Sequence, residues 1–229
     1  ARRHKANCFR ASEPRPYELN DSIIHVLTHF FSEWGKPQEV IELPSDLDIV
    51  NVYFRSREKQ VMLEEQGIKV IASSIAGNAL DLPAVAADII TPLEDKSYEY
   101  VIDVGGDSVG ARVLGRFKNY IEDGDYDMFM VVNANREQTM DLEGIKRHKE
   151  TIEATSRLKV TGFINNTHLI RETTLEDVLR GDKLLKEASK ELGIPIRYVS
   201  AMSHIASQIP DEVSGEILAL DLIMRDQWM

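Results

Sequence analysis

The regular alternation of short apolar runs with longer amphipathic segments is the feature that most constrains this chain. Strand-like runs rich in apolar and β-branched residues recur between helical segments of about ten to twenty residues. This alternation is typical of repeated βαβ units around a parallel sheet. The predicted strands are Gln38–Leu43, Ile68–Ala72 and residues 98–104, 127–133, 158–165 and 195–199. We predict one α/β domain over residues 1–229, a doubly wound, mostly parallel sheet with helices on both faces.

Several predicted helices have a polar cap before them and a glycine after them. Residues 22–34 follow Asn20 and Asp21 and stop at Gly35, and residues 174–192 stop at Gly193. Further helices are predicted over residues 56–66, 84–93, 109–121 and 141–154. The tail, residues 217–225, suits a helix or a strand, and residues 1–21 show no clear period and are predicted to be irregular.

Composition narrows the classes of partner and compartment. The formal net charge of −11, from 38 acidic and 27 basic residues, argues against nucleic acid or an anionic membrane surface as the main partner. Cys8 is the only cysteine, which excludes an intrachain disulfide framework and indicates a reducing compartment. No apolar run approaches the roughly 20 residues that a membrane span needs, and no signal-peptide pattern opens the chain. We expect a cytoplasmic protein.

Residues 98–117, YEYVIDVGGDSVGARVLGRF, join a buried strand to a helix through a glycine turn. Asp103 interrupts the apolar run of the strand, and Gly105 and Gly106 let the backbone turn tightly before Asp107 or Ser108 caps the helix. Open α/β sheets place ligand and metal chemistry at such strand ends. The alternative is a structural aspartate that caps the glycine turn.

Polar side chains also follow the other predicted strands. They are Asp46 and Asp48, Asn133, Asn165 and Asn166, and Ser200. Carboxylates at two neighbouring strand ends suit a hydrated Mg²⁺. Amides at a later strand end can read the edge of a base, because each carries a donor and an acceptor. Together these residues predict a nucleoside-triphosphate site.

Four blocks of sequence carry a resemblance to a known family. DLDIVNVYFRSRE (residues 46–58), VIDVGGDSVGARVLGRF (101–117), VVNANREQT (131–139) and FINNTHLIRETT (163–174) resemble blocks of P-loop NTPases of the MinD/ParA/CobQ type. They are most similar to a branch of small ATP-binding proteins of anaerobic bacteria and archaea. The resemblance covers roughly residues 23–229 and implies a P-loop NTPase-like, Rossmann-like three-layer sandwich.

The resemblance also implies roles for particular residues. Asp103 would be the Walker B aspartate that holds Mg²⁺ through water, and Asp46 and Asp48 would be the catalytic residues, near the nucleophilic water or switch region. Gly105 and Gly106 would bind the nucleotide, with Gly106 sensing the γ-phosphate, and Asn165 or Asn166 would contact adenine. ATP and Mg²⁺ are therefore the implied cofactors. A homodimer and an unknown protein partner are the implied assemblies.

One block of that family is missing. The phosphate loop GxxxxGK[ST] should precede the helix of residues 22–34, yet residues 11–21 read ASEPRPYELND. Three explanations stay open: residues 1–21 do not carry the natural sequence of this region, the protein has lost the loop, or another loop replaces it. The functional alternatives are an Mg-dependent ATPase or molecular switch, and a degenerate pseudo-NTPase that binds partners without hydrolysis. An amidoligase on the same fold is a third alternative.

Overall fold

A computed structural model describes residues 38–43, 60–65, 67–72, 90, 93–95, 99–104, 108–121 and 126–220. The strands in this part of the chain are β1 (Gln38–Leu43), β2 (Ile68–Ala72), β3 (Glu99–Val104), β4 (Phe129–Val132), β5 (Gly162–Asn165), β6 (Ile196–Met202) and β7 (Glu216–Leu220). The helices are α1 (Gln60–Glu65), α2 (Ser108–Arg116), α3 (Leu142–Ser156), α4 (Leu175–Leu192) and the short α5 (Ser203–Ala206).

All strand pairs among the described residues are parallel. One group has the order β2-β1-β3 and the other has the order β4-β5-β6-β7. Each strand is followed along the chain by helical or loop segments that return to the same end of the sheet, as parallel pairing requires. The predicted α/β fold with a parallel sheet is confirmed.

The helices that follow β3 and β4 hold the two groups of strands together. A Cβ atom added to Gly115 of α2 would lie 2.7 Å from the backbone oxygen of Thr155 in α3, so the two helices touch through their backbones. Leu114, Phe117 and Leu158 form a buried cluster beneath this contact. Because Ile102 of β3 also packs on that cluster, β3 lies on the side of its group nearest to β4.

The direction in which the chain steps across the sheet makes the fold doubly wound. In the first group the connection from β1 to β2 steps away from β3 and the connection from β2 to β3 steps back past β1, whereas in the second group every connection from β4 to β7 steps the same way. Crossovers between parallel strands are right-handed in nearly all proteins, so opposite steps put their helices on opposite faces. This places α1 and the connection from β2 to β3 on opposite faces of the first group, and α3 and α4 on the same face of the second group.

The core of the second strand group lies between the sheet and the pair α3 and α4. Its buried residues are Met130, Val132, Ile145, Val160, Phe163, Leu185, Ala188 and Ile194. A neighbouring cluster fills the space between α4, β6 and α5; it contains Val178, Val199, Ala201, Ile205, Ala206 and Ile209. These clusters fix the positions of the carboxyl ends of β4, β5 and β6.

The helix boundaries follow the capping signals of the sequence. Thr174 accepts a hydrogen bond from the amide of Asp177, whose carboxylate accepts one from the amide of Thr174, and Gly193 ends α4 in the left-handed region. The helix predicted over residues 109–121 was wrong at its end, because α2 stops at Arg116. Hydrogen bonds from Phe117 to Leu114 and from Tyr120 to Phe117 tighten the chain into a 3₁₀ turn there.

The strand predicted over residues 158–165 was wrong at its start, because β5 begins only at Gly162. Leu158 and Val160 are buried, as the apolar pattern required, but their neighbours do not join a ladder. The amide of Lys159 donates to the Tyr126 hydroxyl at 2.8 Å, and the amide of Val160 donates to the Glu153 carboxylate at 3.0 Å. The helix predicted over residues 22–34 and the irregular segment 1–21 lie outside the described residues.

Candidate functional site

The carboxyl ends of β1 and β3 lie side by side. Leu43 is the register partner of Val104, and Glu42 is the partner of Asp103. The chain reverses its direction of stepping between these two strands, and ligands of open α/β sheets bind at such a reversal, outside the carboxyl ends. The structure describes the backbone of Asp103 in β3 but not its side chain.

Four of the predicted site residues lie within five residues after the ends of these two strands in the sequence. Asp46 and Asp48 come after β1, and Gly105 and Gly106 come after β3. All four lie outside the described residues. The structure therefore brings together the strand ends from which these residues emerge, and their roles stay predictions.

The loops after β4 and β5 are joined through Asn133. Its Oδ1 accepts from the amide of Asn135 at 2.9 Å and from the amide of His168 at 3.4 Å. Its Nδ2 donates to the backbone oxygen of His168 at 3.2 Å. Thr139 closes the first loop by donating its hydroxyl to the backbone oxygen of Asn133 at 2.8 Å. Asn133 is thus a structural residue that aligns the two loops.

A second polar network joins the same loops to the start of α4. Asn135 Nδ2 donates to Asp177 at 3.3 Å, and Arg180 donates to both Asn135 Oδ1 and, at 2.7 Å, Asp177 Oδ1. Burial raises the pKa of Asp177, but donors from Thr174, Asn135 and Arg180 outweigh burial and lower the pKa overall. The carboxylate is therefore held ionised at neutral pH, which completes the cap of α4.

Both ends of the Asn165 amide are used by the chain itself. Nδ2 donates to the backbone oxygen of Val178 at 3.0 Å, and Oδ1 accepts from the amide and the hydroxyl of Thr167 at 3.2 and 2.8 Å. The residue is 1% exposed. A Cβ atom on Gly181 would lie 2.3 Å from this Oδ1, so only a glycine lets α4 come this close. The geometry gives Asn165 a structural task.

Asn166 is placed differently from its neighbour. Its backbone amide donates to the oxygen of Val132 at 2.9 Å, which fixes the residue between the ends of β4 and β5. Its Oδ1 lies 3.0 Å from the hydroxyl of Ser200 in β6. The side chain is half-buried, and within the described part of the chain Nδ2 has no hydrogen-bond partner. Of the two asparagines, Asn166 is the one with donors available to a ligand.

Sequence reasoning named Asn165 and Asn166 as alternatives but missed the contacts that separate them. The contact of Asn165 with Val178 depends on the close approach at Gly181, for which the sequence carries no local signal. The role of Asp177 did have a signal, because Thr174 and Asp177 have the spacing of a capping box.

The described residues contain no group of three or more His, Cys, Asp or Glu side chains placed to hold a metal ion. The implied Mg²⁺ ligands are outside that set, because Asp46 and Asp48 lie outside the described residues and the side chain of Asp103 is not described. In the described parts of the chain no helix has the length and apolar character needed to cross a membrane.

No protein-family model matches the chain, and no curated protein matches it. Among solved structures the chain is similar to the crystal structure of FtsY from Mycoplasma mycoides, with 15% sequence identity and a TM-score of 0.46. The match covers 77% of this chain and 54% of that protein, so the chain spans about half the length of FtsY. A likeness this distant supports no conclusion about the chain.

Proposed function

We propose that this protein binds a purine nucleoside triphosphate together with Mg²⁺ at the carboxyl edge of its parallel sheet. The observation that carries the proposal is the Asn166 amide, which Val132 and Ser200 hold at this edge and whose Nδ2 has no hydrogen-bond partner among the residues that the structure describes. The four-block resemblance extends the proposal to a P-loop protein of the MinD/ParA type that binds ATP. Its activity would be that of an Mg-dependent ATPase or molecular switch.

The phosphate and metal half of the site would lie at the ends of β1 and β3. Asp103 belongs to β3, and the strand end that leads to Asp46 and Asp48 is its direct neighbour. One or two carboxylates with water and phosphate oxygens suit Mg²⁺, which keeps several waters in protein sites. The metal would neutralise charge on the phosphates. Asp103 would hold the water that ligates it, and Asp46 and Asp48 would orient the attacking water.

The base half of the site would lie at the ends of β5 and β6. An asparagine amide can pair with the edge of a purine. Its nitrogen donates to N7 or to a 6-oxo group, and its oxygen accepts from a 6-amino group. Buried Ser200 and the oxygen of Val132 hold Asn166 in place, so little side-chain freedom is lost on binding. The neighbouring Asn165 anchors β5 to α4 through its bond to the oxygen of Val178, and this fixes the strand end that carries Asn166.

A second candidate function is a pseudo-NTPase that keeps the fold and binds partners without hydrolysis. It is favoured by the sequence before residue 22, which lacks a GxxxxGK[ST] loop. Such a loop supplies backbone donors and a lysine to the phosphates, and charge-assisted hydrogen bonds contribute about 1.5–3 kcal/mol each. Under this alternative, ATP binds weakly or not at all and is never hydrolysed.

Calorimetric titration of the full chain with ATP and Mg²⁺ tests the proposal. Replacement of Asn166 by Ala should weaken ATP binding by about tenfold, because a base-reading amide contributes about 1–3 kcal/mol. Asn119→Ala is the matched control, since Asn119 is exposed on the 3₁₀ turn after α2. Equal affinities of the two variants would remove Asn166 from the site.

The implied homodimer has its own test. Light scattering with and without ATP and Mg²⁺ should show a rise in mass only with nucleotide if the switch works through dimerisation. A mass that is independent of nucleotide would leave ATP binding in place and exclude the dimer switch.

A further inference from the structure

The hydroxyl group of Ser200 has two acceptors within reach and only one proton. Its oxygen lies 3.0 Å from Oδ1 of Asn166 and 3.3 Å from the backbone oxygen of Asn165. Ser200 is 1% exposed, so water does not compete freely for this hydroxyl. At any moment the proton is donated to one of the two oxygens, and the hydroxyl oxygen itself remains free to accept.

This arrangement is compatible with two orientations of the Asn166 amide. In one, Ser200 donates to Oδ1 and the amide nitrogen faces outward. In the other, the amide is turned by about 180°, its nitrogen donates to Ser200, and the serine proton goes to the oxygen of Asn165. In each orientation the Ser200 proton has an acceptor, and the backbone bond from Asn166 to Val132 is the same in both.

Asn165 shows the contrast within the same segment. Its Oδ1 accepts from two donors of Thr167, and its Nδ2 donates to a backbone oxygen that can only accept. Turning that amide would place donors against donors and an acceptor against an acceptor, so its orientation is fixed. The Asn166 amide is reversible because, among the described residues, its side chain contacts a hydroxyl and no group that can only donate or only accept.

The two orientations suit two kinds of purine. Adenine carries a 6-amino donor, which needs the outward oxygen, whereas guanine and hypoxanthine carry a 6-oxo acceptor, which needs the outward nitrogen. Building on the proposed function, we propose that Ser200 acts as a reversible positioning residue for Asn166. The site then binds 6-amino and 6-oxo purine nucleoside triphosphates with similar affinity.

Titrations of the full chain with MgATP and MgITP test this inference, because the two bases differ only at position 6 and the adjoining N1. The wild-type protein should bind both with affinities within about tenfold of each other. This ratio is far smaller than the roughly 10⁴-fold or greater discrimination achieved by sites whose polar groups are fixed. A preference above about 100-fold for either nucleotide overturns the inference. This wild-type ratio decides the matter even if a variant fails to fold.

Two variants should shift the ratio in opposite directions. Asn166→Asp presents only acceptors, so it should favour ATP over ITP by at least about tenfold relative to the wild type. Ser200→Ala removes the inward partner, and because an unpaired N–H is costlier than an under-satisfied carbonyl, the nitrogen should turn outward and favour ITP by about threefold or more. Equal weakening of both nucleotides in both variants would reduce Ser200 and Asn166 to structural roles.

The outcomes also separate this inference from the proposed function. Binding of one nucleotide alone keeps the proposed function and overturns the inference. If none of the nucleotides binds, the proposed function fails, and the inference fails with it.

Discussion

The side-chain nitrogen of Asn165 donates to the backbone oxygen of Val178 at 3.0 Å, which ties the end of β5 to the first turn of α4. The next residue, Asn166, points its amide at Ser200 in β6 instead. Two adjacent asparagines therefore differ in their contacts: one joins a strand to a helix, and the side-chain nitrogen of the other has no partner within the described part of the chain.

Asn165→Ala should destabilise the fold. The change removes the side-chain bond to the oxygen of Val178 and leaves two donors of Thr167 without their partner in a buried place, and each such donor costs about 1–3 kcal/mol. We expect the free energy of unfolding to fall by about 3 kcal/mol in urea titrations. Asn119→Ala should change it by less than about 0.5 kcal/mol. A loss that small for Asn165→Ala would contradict its structural role.

Gly181→Ala should also destabilise the protein, although alanine usually favours a helix over glycine. The new methyl group would lie 2.1 Å from Thr167 Oγ1 and 2.3 Å from Asn165 Oδ1, so the helix must move away from β5. Overpacking of this kind costs about 1–3 kcal/mol. Glu187→Ala, on the exposed side of α4, is the control and should be close to neutral. Unchanged or higher stability of Gly181→Ala would show that α4 does not pack as described.

Asp177→Asn should alter how stability depends on pH. Burial raises the pKa of Asp177, but donors from Thr174, Asn135 and Arg180 bring it below its ordinary value of 3.8. A lowered pKa means that the ionised carboxylate stabilises the fold above about pH 4, and that this contribution disappears as the pH falls through the folded-state pKa. The variant should lose about 1 kcal/mol at pH 7, as a weakened helix cap does.

Acid titrations of unfolding provide the check. The stability of Asp177→Asn should fall less steeply than that of the wild type below about pH 4. Glu176→Gln removes an exposed carboxylate from the same helical turn and serves as the control. Identical acid profiles for the wild type and Asp177→Asn would contradict the network around this residue.

The sequence was sufficient for the strands that its local signals define. β1 and β2 begin and end where predicted, because each has an apolar, β-branched centre and, for β2, Gly67 precedes the strand in a turn with φ of 81°. β6 runs on to Met202, beyond the predicted end at residue 199. Its last residues pair with β7, with Ser200 opposite Leu218, and this partner is not visible from the local pattern.

The candidate site likewise has one part that local sequence predicts and another that depends on distant contacts. The carboxylates and amides at the strand ends could be predicted, since parallel strands bring their carboxyl ends to one edge. The contacts that distinguish Asn165 from Asn166 could not be predicted, because they depend on Val178, Gly181 and Ser200, which come from other elements. Local sequence identifies polar strand ends, but packing decides which of them face a ligand.

Asp103→Asn should remove Mg-dependent ATP hydrolysis under the proposed function. The amide keeps the size of the side chain but lacks the charge that holds the water on Mg²⁺. Phosphate release measured with and without Mg²⁺ should show activity for the wild type only with the metal, and none for the variant. Circular dichroism confirms that the variant is folded. Full activity of Asp103→Asn would exclude Asp103 as the metal-site residue.

The central claim is that this sheet binds a purine nucleoside triphosphate, and calorimetric titration of the full wild-type chain with ATP and Mg²⁺ tests it most directly. The account predicts a saturable heat at millimolar nucleotide or below, which is smaller without Mg²⁺. No heat at millimolar ATP, GTP or ITP, with the fold intact by circular dichroism, would contradict it and leave the pseudo-NTPase as the function.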